Sequence, residues 1–143
     1  MAIHFQNSDV SFNLKQKKKL KEWIKFTIIS EGKTVEDLSF IFCTDEFLLK
    51  INQNYLQHDY FTDIITFDLS NEINKISGEL YISIERVKDN SKDLSVNFLE
   101  ELNRVMIHGI LHLCGYGDKK DSEIKRMREK EDFYLNLFTS NLN

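Results

Sequence analysis

The chain has 143 residues, 41% hydrophobic and 12% aromatic, with a formal charge of −4. That is one domain's length with enough apolar material for a core, which excludes a disordered chain. Proline is absent and glycine occurs five times, which excludes proline-rich linkers and collagen-like repeats.

Residues 3–7 (Ile-His-Phe-Gln-Asn) predict a short first strand. Residues 14–31 predict an amphipathic helix, with Leu14, Leu20, Trp23, Ile24, Thr27 and Ile28 inward and Gly32 as its C-terminal stop. Five lysines and no acid occupy residues 15–21, leaving the rest of the chain strongly acidic. Lys17 and Lys18 in this run are either a solvated helix face or a local contact for a polyanion that the overall field repels. Residues 38–43 predict a buried strand, and Thr44 can cap a helix over 45–55. Residues 63–68 and 79–84 predict two further strands across a polar loop at 69–77. A connection of that length favours antiparallel neighbours. Residues 85–93 suit a helical connection.

Asn97 opens the strongest helix, with Glu100 three residues on. Its apolar stripe is Phe98, Leu102, Val105, Met106, Ile110 and Leu113, and Gly115 ends it. A last helix is expected over 121–138, with Ile124, Met127, Tyr134, Leu135 and Phe138 inward and the mixed charges of 118–132 on its surface. The whole predicts one α+β domain spanning 1–143, built on a single mixed sheet of about four strands packed with helices. No apolar run approaches the roughly 20 residues that span a bilayer. The first residues carry no secretory signal, and Cys43 and Cys114 read as free thiols. A cytoplasmic protein is the expectation.

His108 and His112 lie one helical turn apart on one face, so two imidazoles can chelate one ion. Gly109 between them is costly in a helix interior and predicts a close approach there. Gly115-Tyr116-Gly117-Asp118 then reverses the chain, which can return Asp118 over the histidines as a third ligand. Two His and one carboxylate leave a fourth position open, as in a catalytic zinc site. Cys114 is an alternative ligand but points to the opposite helix face. Zincin peptidases carry Glu directly after the first His; here that residue is Gly109.

The run His108-Gly109-Ile110-Leu111-His112-Leu113-Cys114-Gly115-Tyr116 resembles the signature of the YbeY family, the bacterial rRNA maturation factors. Thr62-Asp63-Ile64-Ile65-Thr66-Phe67, Gly78-Glu79-Leu80 and Ile51-Asn52 resemble further motifs of that family, in the same order over residues 50–131. The resemblance implies a zinc-dependent endoribonuclease directed to single strands. It implies a role in maturing the 3′ end of small-subunit rRNA and in ribosome quality control. It also implies one zinc per chain and a cleft between the histidine helix and the sheet.

The chain departs from the family pattern at three places. Gly117-Asp118 replaces Asp-His, so the third ligand becomes Asp118. Leu56 stands where the family has Arg, leaving His58 or a lysine such as Lys17 or Lys18 to meet RNA. Phe61 replaces a proline. Asp63 and Glu79 are acids on strands: either catalytic groups near the metal or carboxylates bonded locally. Two other functions compete with RNA cleavage: hydrolysis of a different substrate such as peptide, and ribosome assembly with a purely structural metal.

Overall fold

The computed structural model describes residues 2–140. Nine elements follow in chain order: β1 (Ala2–Asn7), α1 (Lys17–Ser30), β2 (Thr34–Cys43), α2 (Asp45–Leu56), β3 (Ile64–Asp68), β4 (Lys75–Ser83), α3 (Ile84–Leu94), α4 (Phe98–Leu113) and α5 (Asp121–Ser140). The four strands form one sheet in the order β1-β2-β4-β3. β1 with β2 and β2 with β4 are parallel, whereas β3 with β4 is antiparallel. The α+β class and the mixed four-stranded sheet agree with the expectation.

Alternation along the strands divides the apolar residues between two faces. Leu38, Phe40 and Phe42 of β2, with Leu80 and Ile82 of β4, join the main core under α1, α3, α4 and α5. Cys43 and Ile65 turn the other way and pack with Leu48 of α2, alongside Phe47, Ile51, Phe67 and Tyr81. Trp23 at the centre is fully buried. Its indole N–H donates to Tyr134 O at 2.7 Å, so its polar edge is satisfied.

The predicted caps are present. Thr44 Oγ1 accepts from Phe47 N–H, and Asn97 Oδ1 accepts from Glu100 N–H. Where α1 ends, Gly32 has φ 82. Lys33 N–H donates to Ile28 O at 3.1 Å and Gly32 N–H to Ile29 O at 3.0 Å, closing a Schellman turn.

Three expectations shift. β2 begins at Thr34 and β4 at Lys75, each four residues before the apolar run. The added segments each carry one buried apolar residue, Val35 and Ile76, among polar ones, and they pair with each other, Thr34 with Lys75 and Val35 with Ile76. Ile124 is 49% exposed rather than inward, while its neighbour on the same helix, Met127, is buried. Among the described residues, no helix is long and apolar enough to cross a membrane.

Candidate metal centre and cleft

The apolar stripe of α4 faces the sheet, which leaves His108 and His112 half-buried on the free side. The helix stops in a second Schellman turn: Tyr116 N–H donates to Leu111 O and Gly115 N–H to His112 O, both at 3.0 Å. Gly115 takes φ 109, which a side chain disfavours. The tight stop folds Asp118 back over the helix end. Its Oδ2 lies 3.1 Å from His112 Nε2 and 3.3 Å from His108 Nε2. The two Nε2 atoms are 2.9 Å apart. Expected as ligands, His108, His112 and Asp118 thus come together, their donor atoms within 4.8 Å of one another.

The outer partners decide what these atoms can hold. His112 Nδ1 lies 2.8 Å from Tyr116 O, a pure acceptor, so Nδ1 carries the proton. His108 Nδ1 lies 2.6 Å from Glu131 Oε2, a carboxylate, and donates likewise. Both Nε2 atoms therefore present bare lone pairs to each other and to a carboxylate oxygen. Three acceptors at such distances repel unless a proton or a metal cation sits among them. Zinc bonds of ~2.0–2.1 Å in a tetrahedron set ligand atoms about 3.3 Å apart, close to the separations seen. The donor set fits the metal that the sequence implies.

Glu131, from α5, is 4% exposed, and its other oxygen accepts from Arg104 at 2.7 Å. Burial works against its charge, but His108 and Arg104 hold the carboxyl below its ordinary range. For His108, burial opposes protonation, and the carboxylates of Glu131, Asp118 and Asp63 together outweigh it, raising the imidazole's pKa. Sequence reasoning left Glu131 in a salt-bridged surface. The missed signal is its position four residues after Met127 and three before Tyr134, on the apolar stripe of α5.

The turn is held from a second side. Tyr116 OH donates to Glu31 Oε1 at 2.6 Å; Tyr134 OH and Lys130 donate to Glu31 Oε2. Glu31 sits at the C-terminal cap of α1, where the helix dipole disfavours a negative charge. Three converging donors offset that cost. Nothing in the local sequence distinguished this residue.

Two cavities, about 270 and 540 Å³, flank the ligand cluster and share Asp63, Ile64, His108 and Asp118. Asp63 is half-buried at the start of β3 and accepts from Asn90 Nδ2 at 3.2 Å. Burial raises its pKa, partly offset by His108 and by the backbone amides of Asp63 and Ile64. Glu101, missed by the sequence reading, lines the smaller cavity, and its pKa is raised by burial and then by Asp63. His58 lines the larger cavity with the ligands.

Other expected site residues lie apart. Glu79 pairs with Phe67 on β3, one residue out of phase with Leu80, and accepts from Tyr81 OH at 3.1 Å. It therefore faces α2, on the sheet side away from α4. Lys17 and Lys18 open α1, whose other end touches Tyr116 through Glu31. Fourteen residues at 1.5 Å rise put about 20 Å between those ends, and neither lysine lines either cavity. Cys114 caps α4 outside the ligand cluster, its thiol pushed up to about 12 by burial and then by Glu31. The close approach at Gly109 is real, but what approaches is the sheet. A Cβ there would lie 2.6 Å from Leu80 Cδ2 and 2.7 Å from Ile64 Cδ1.

Fold and site together define an α+β protein with a two-histidine, one-carboxylate cluster, a candidate cation site, between a helix and a sheet edge. A family model described as Endoribonuclease YbeY matches residues 2–139. Endoribonuclease YbeY of Flavobacterium johnsoniae is 48% identical over 132 residues, covering 92% of this chain and 94% of that protein. The Cytophaga hutchinsonii protein of the same name is 44% identical over 136 residues, covering 95% of each chain. The solution structure of TM1509 from Thermotoga maritima aligns with a TM-score of 0.67 at 30% identity, covering 96% of this chain and 89% of that one. The chain belongs to the YbeY endoribonuclease family.

Proposed function

We propose that this chain is a zinc-dependent endoribonuclease acting on single-stranded segments of ribosomal RNA. The observation that carries this reading is the convergence of three bare acceptor atoms from His108, His112 and Asp118 in a cleft shared with Asp63. Family membership supplies the substrate class. Maturation of the small-subunit rRNA 3′ end, ribosome quality control and a cytoplasmic location complete the proposal.

A zinc ion supplies Lewis acidity toward a phosphoryl oxygen and toward water. His108 and His112 hold it through Nε2, with Glu131 and the Tyr116 carbonyl fixing the ring tautomers from behind. Asp118 supplies the one anionic ligand. Asp63, its pKa raised by burial, takes the proton of the attacking hydroxyl or water. His58, lining the same cavity, meets the RNA strand. Lys17 and Lys18 add positive field at a distance, away from the reacting phosphate.

The test pairs chemistry with metal content. Zinc-loaded protein is incubated with single-stranded RNA, duplex RNA and peptides, with and without EDTA. Single-stranded RNA should be cut and EDTA should stop it. Asp63→Asn should lower kcat by about 10²–10⁴-fold with zinc content unchanged; His112→Ala should lose zinc and activity together. Cleavage of peptide alone, or no EDTA-sensitive turnover of RNA, overturns the reading. The latter, with His112→Ala losing both zinc and stability, would establish a structural metal instead.

A further inference from the structure

The segment after α2 is pinned tightly and yet exposes its aromatic rings. Gln57 takes the left-handed conformation at φ 56, and His58 N–H donates to Asn52 O at 3.0 Å. Asn52 is 2% exposed, and its side-chain amide donates to Tyr60 O at 2.8 Å. Gln53 Nε2 donates to Asp59 Oδ1 at 2.6 Å. With the backbone so held, the Tyr60 ring remains 56% exposed. His58 lies nearly parallel to it, centroids 5.2 Å apart and planes 19° from each other. The Tyr60 hydroxyl and His58 Nδ1 are 3.0 Å apart, which fixes the pair edge to edge as well.

Both rings line the cavity that contains His108, His112 and Asp118. Among the described residues lining it, Lys119 is the one lysine or arginine, against three aspartates, Asp63, Asp68 and Asp118. Phosphate pairing therefore contributes little attraction on this side, and Leu56 adds none. An aromatic face attracts a nucleobase without needing charge, and a ring already fixed in place loses little entropy on binding.

We propose that Tyr60, backed by His58, is a stacking platform for one unpaired base of the RNA strand entering the cleft. This rests on the endoribonuclease reading above, and it names how an acidic chain holds its polyanion.

The probe is a short 2′-O-methyl single strand carrying 2-aminopurine, whose fluorescence is quenched on stacking, added to the zinc-loaded full chain. Wild type and Tyr60→Phe should bind it and quench it alike. Tyr60→Ala should weaken binding by about tenfold or more and abolish the quench, with an unchanged melting curve. Tyr60→Ala that binds and quenches as wild type does overturns the platform alone, and is also the result expected if the exposed rings dock a protein. Wild type that binds no single-stranded RNA overturns both the platform and the function on which it rests.

Discussion

Glu131 shows how much a single buried carboxylate can determine. It accepts from His108 and from Arg104 with different oxygens. Glu131→Gln leaves one carbonyl oxygen for two donors and turns an N–H₂ toward one of them. Zinc affinity should fall about tenfold, the lower end of what such outer partners are worth, measured by competition with a chromophoric chelator. Unchanged affinity would exclude an orienting role. The histidine pair was legible in the sequence because spacing of four on a helix is a geometric statement. Asp118 was legible because a glycine-rich stop directly follows. Glu131 was not, since its importance depends on which face of α5 meets α4, a tertiary fact. Glu79 carried the same chemistry on paper as Asp63, and place in the sheet separates them: Asp63 precedes β3 and lines the cleft, whereas Glu79 lies within β4 opposite Phe67 and faces α2.

At the level of elements, α4 must lie close against β3 and β4 for the histidines to reach the cleft. Gly109 permits that approach. Alanine is better than glycine in a helix by about 1 kcal/mol, so propensity alone predicts that Gly109→Ala stabilises. The contacts predict the reverse. A Cβ 2.6 Å from the buried Leu80 side chain and 2.7 Å from Ile64 forces repacking, which typically costs about 1–3 kcal/mol. A net loss of up to about 2 kcal/mol is expected in urea unfolding; a raised midpoint would refute the packing account. Caps and apolar stripes made most helices legible, because those signals are local. The starts of β2 and β4, each with a single apolar residue among polar ones, were not, because each is a strand through its pairing with the other. Ile124 misled by periodicity, since it sits in the first turn of α5, where the helix has not yet reached the core.

Across the whole molecule, Glu31 ties the end of α1 to the turn after α4 and to α5. Burial raises its pKa, but the hydroxyls of Tyr116 and Tyr134 and the Lys130 ammonium outweigh this and leave it below 4.5. A depressed carboxylate stabilises the fold fully above its unfolded pKa and loses that contribution as pH falls through the folded value. Glu31→Gln should therefore be less stable than wild type by about 1–3 kcal/mol at neutral pH. The gap should narrow as pH drops below about 4.5, in urea midpoints taken from pH 7 to 3. A gap that persists at pH 3 would assign the loss to packing. The chain order of the site residues also sets two very different loop-closure costs. His108, His112 and Asp118 sit within one short stretch of chain, whereas the wall bearing His58 and Tyr60 is far upstream. Closure entropy rises with the length of the intervening chain, so the ion's nest is entropically cheap and the cleft is not. On the proposed metal reading, a partly unfolded chain would thus retain its ion after the substrate groove has come apart, and metal content and cutting activity would record two separate thresholds of order.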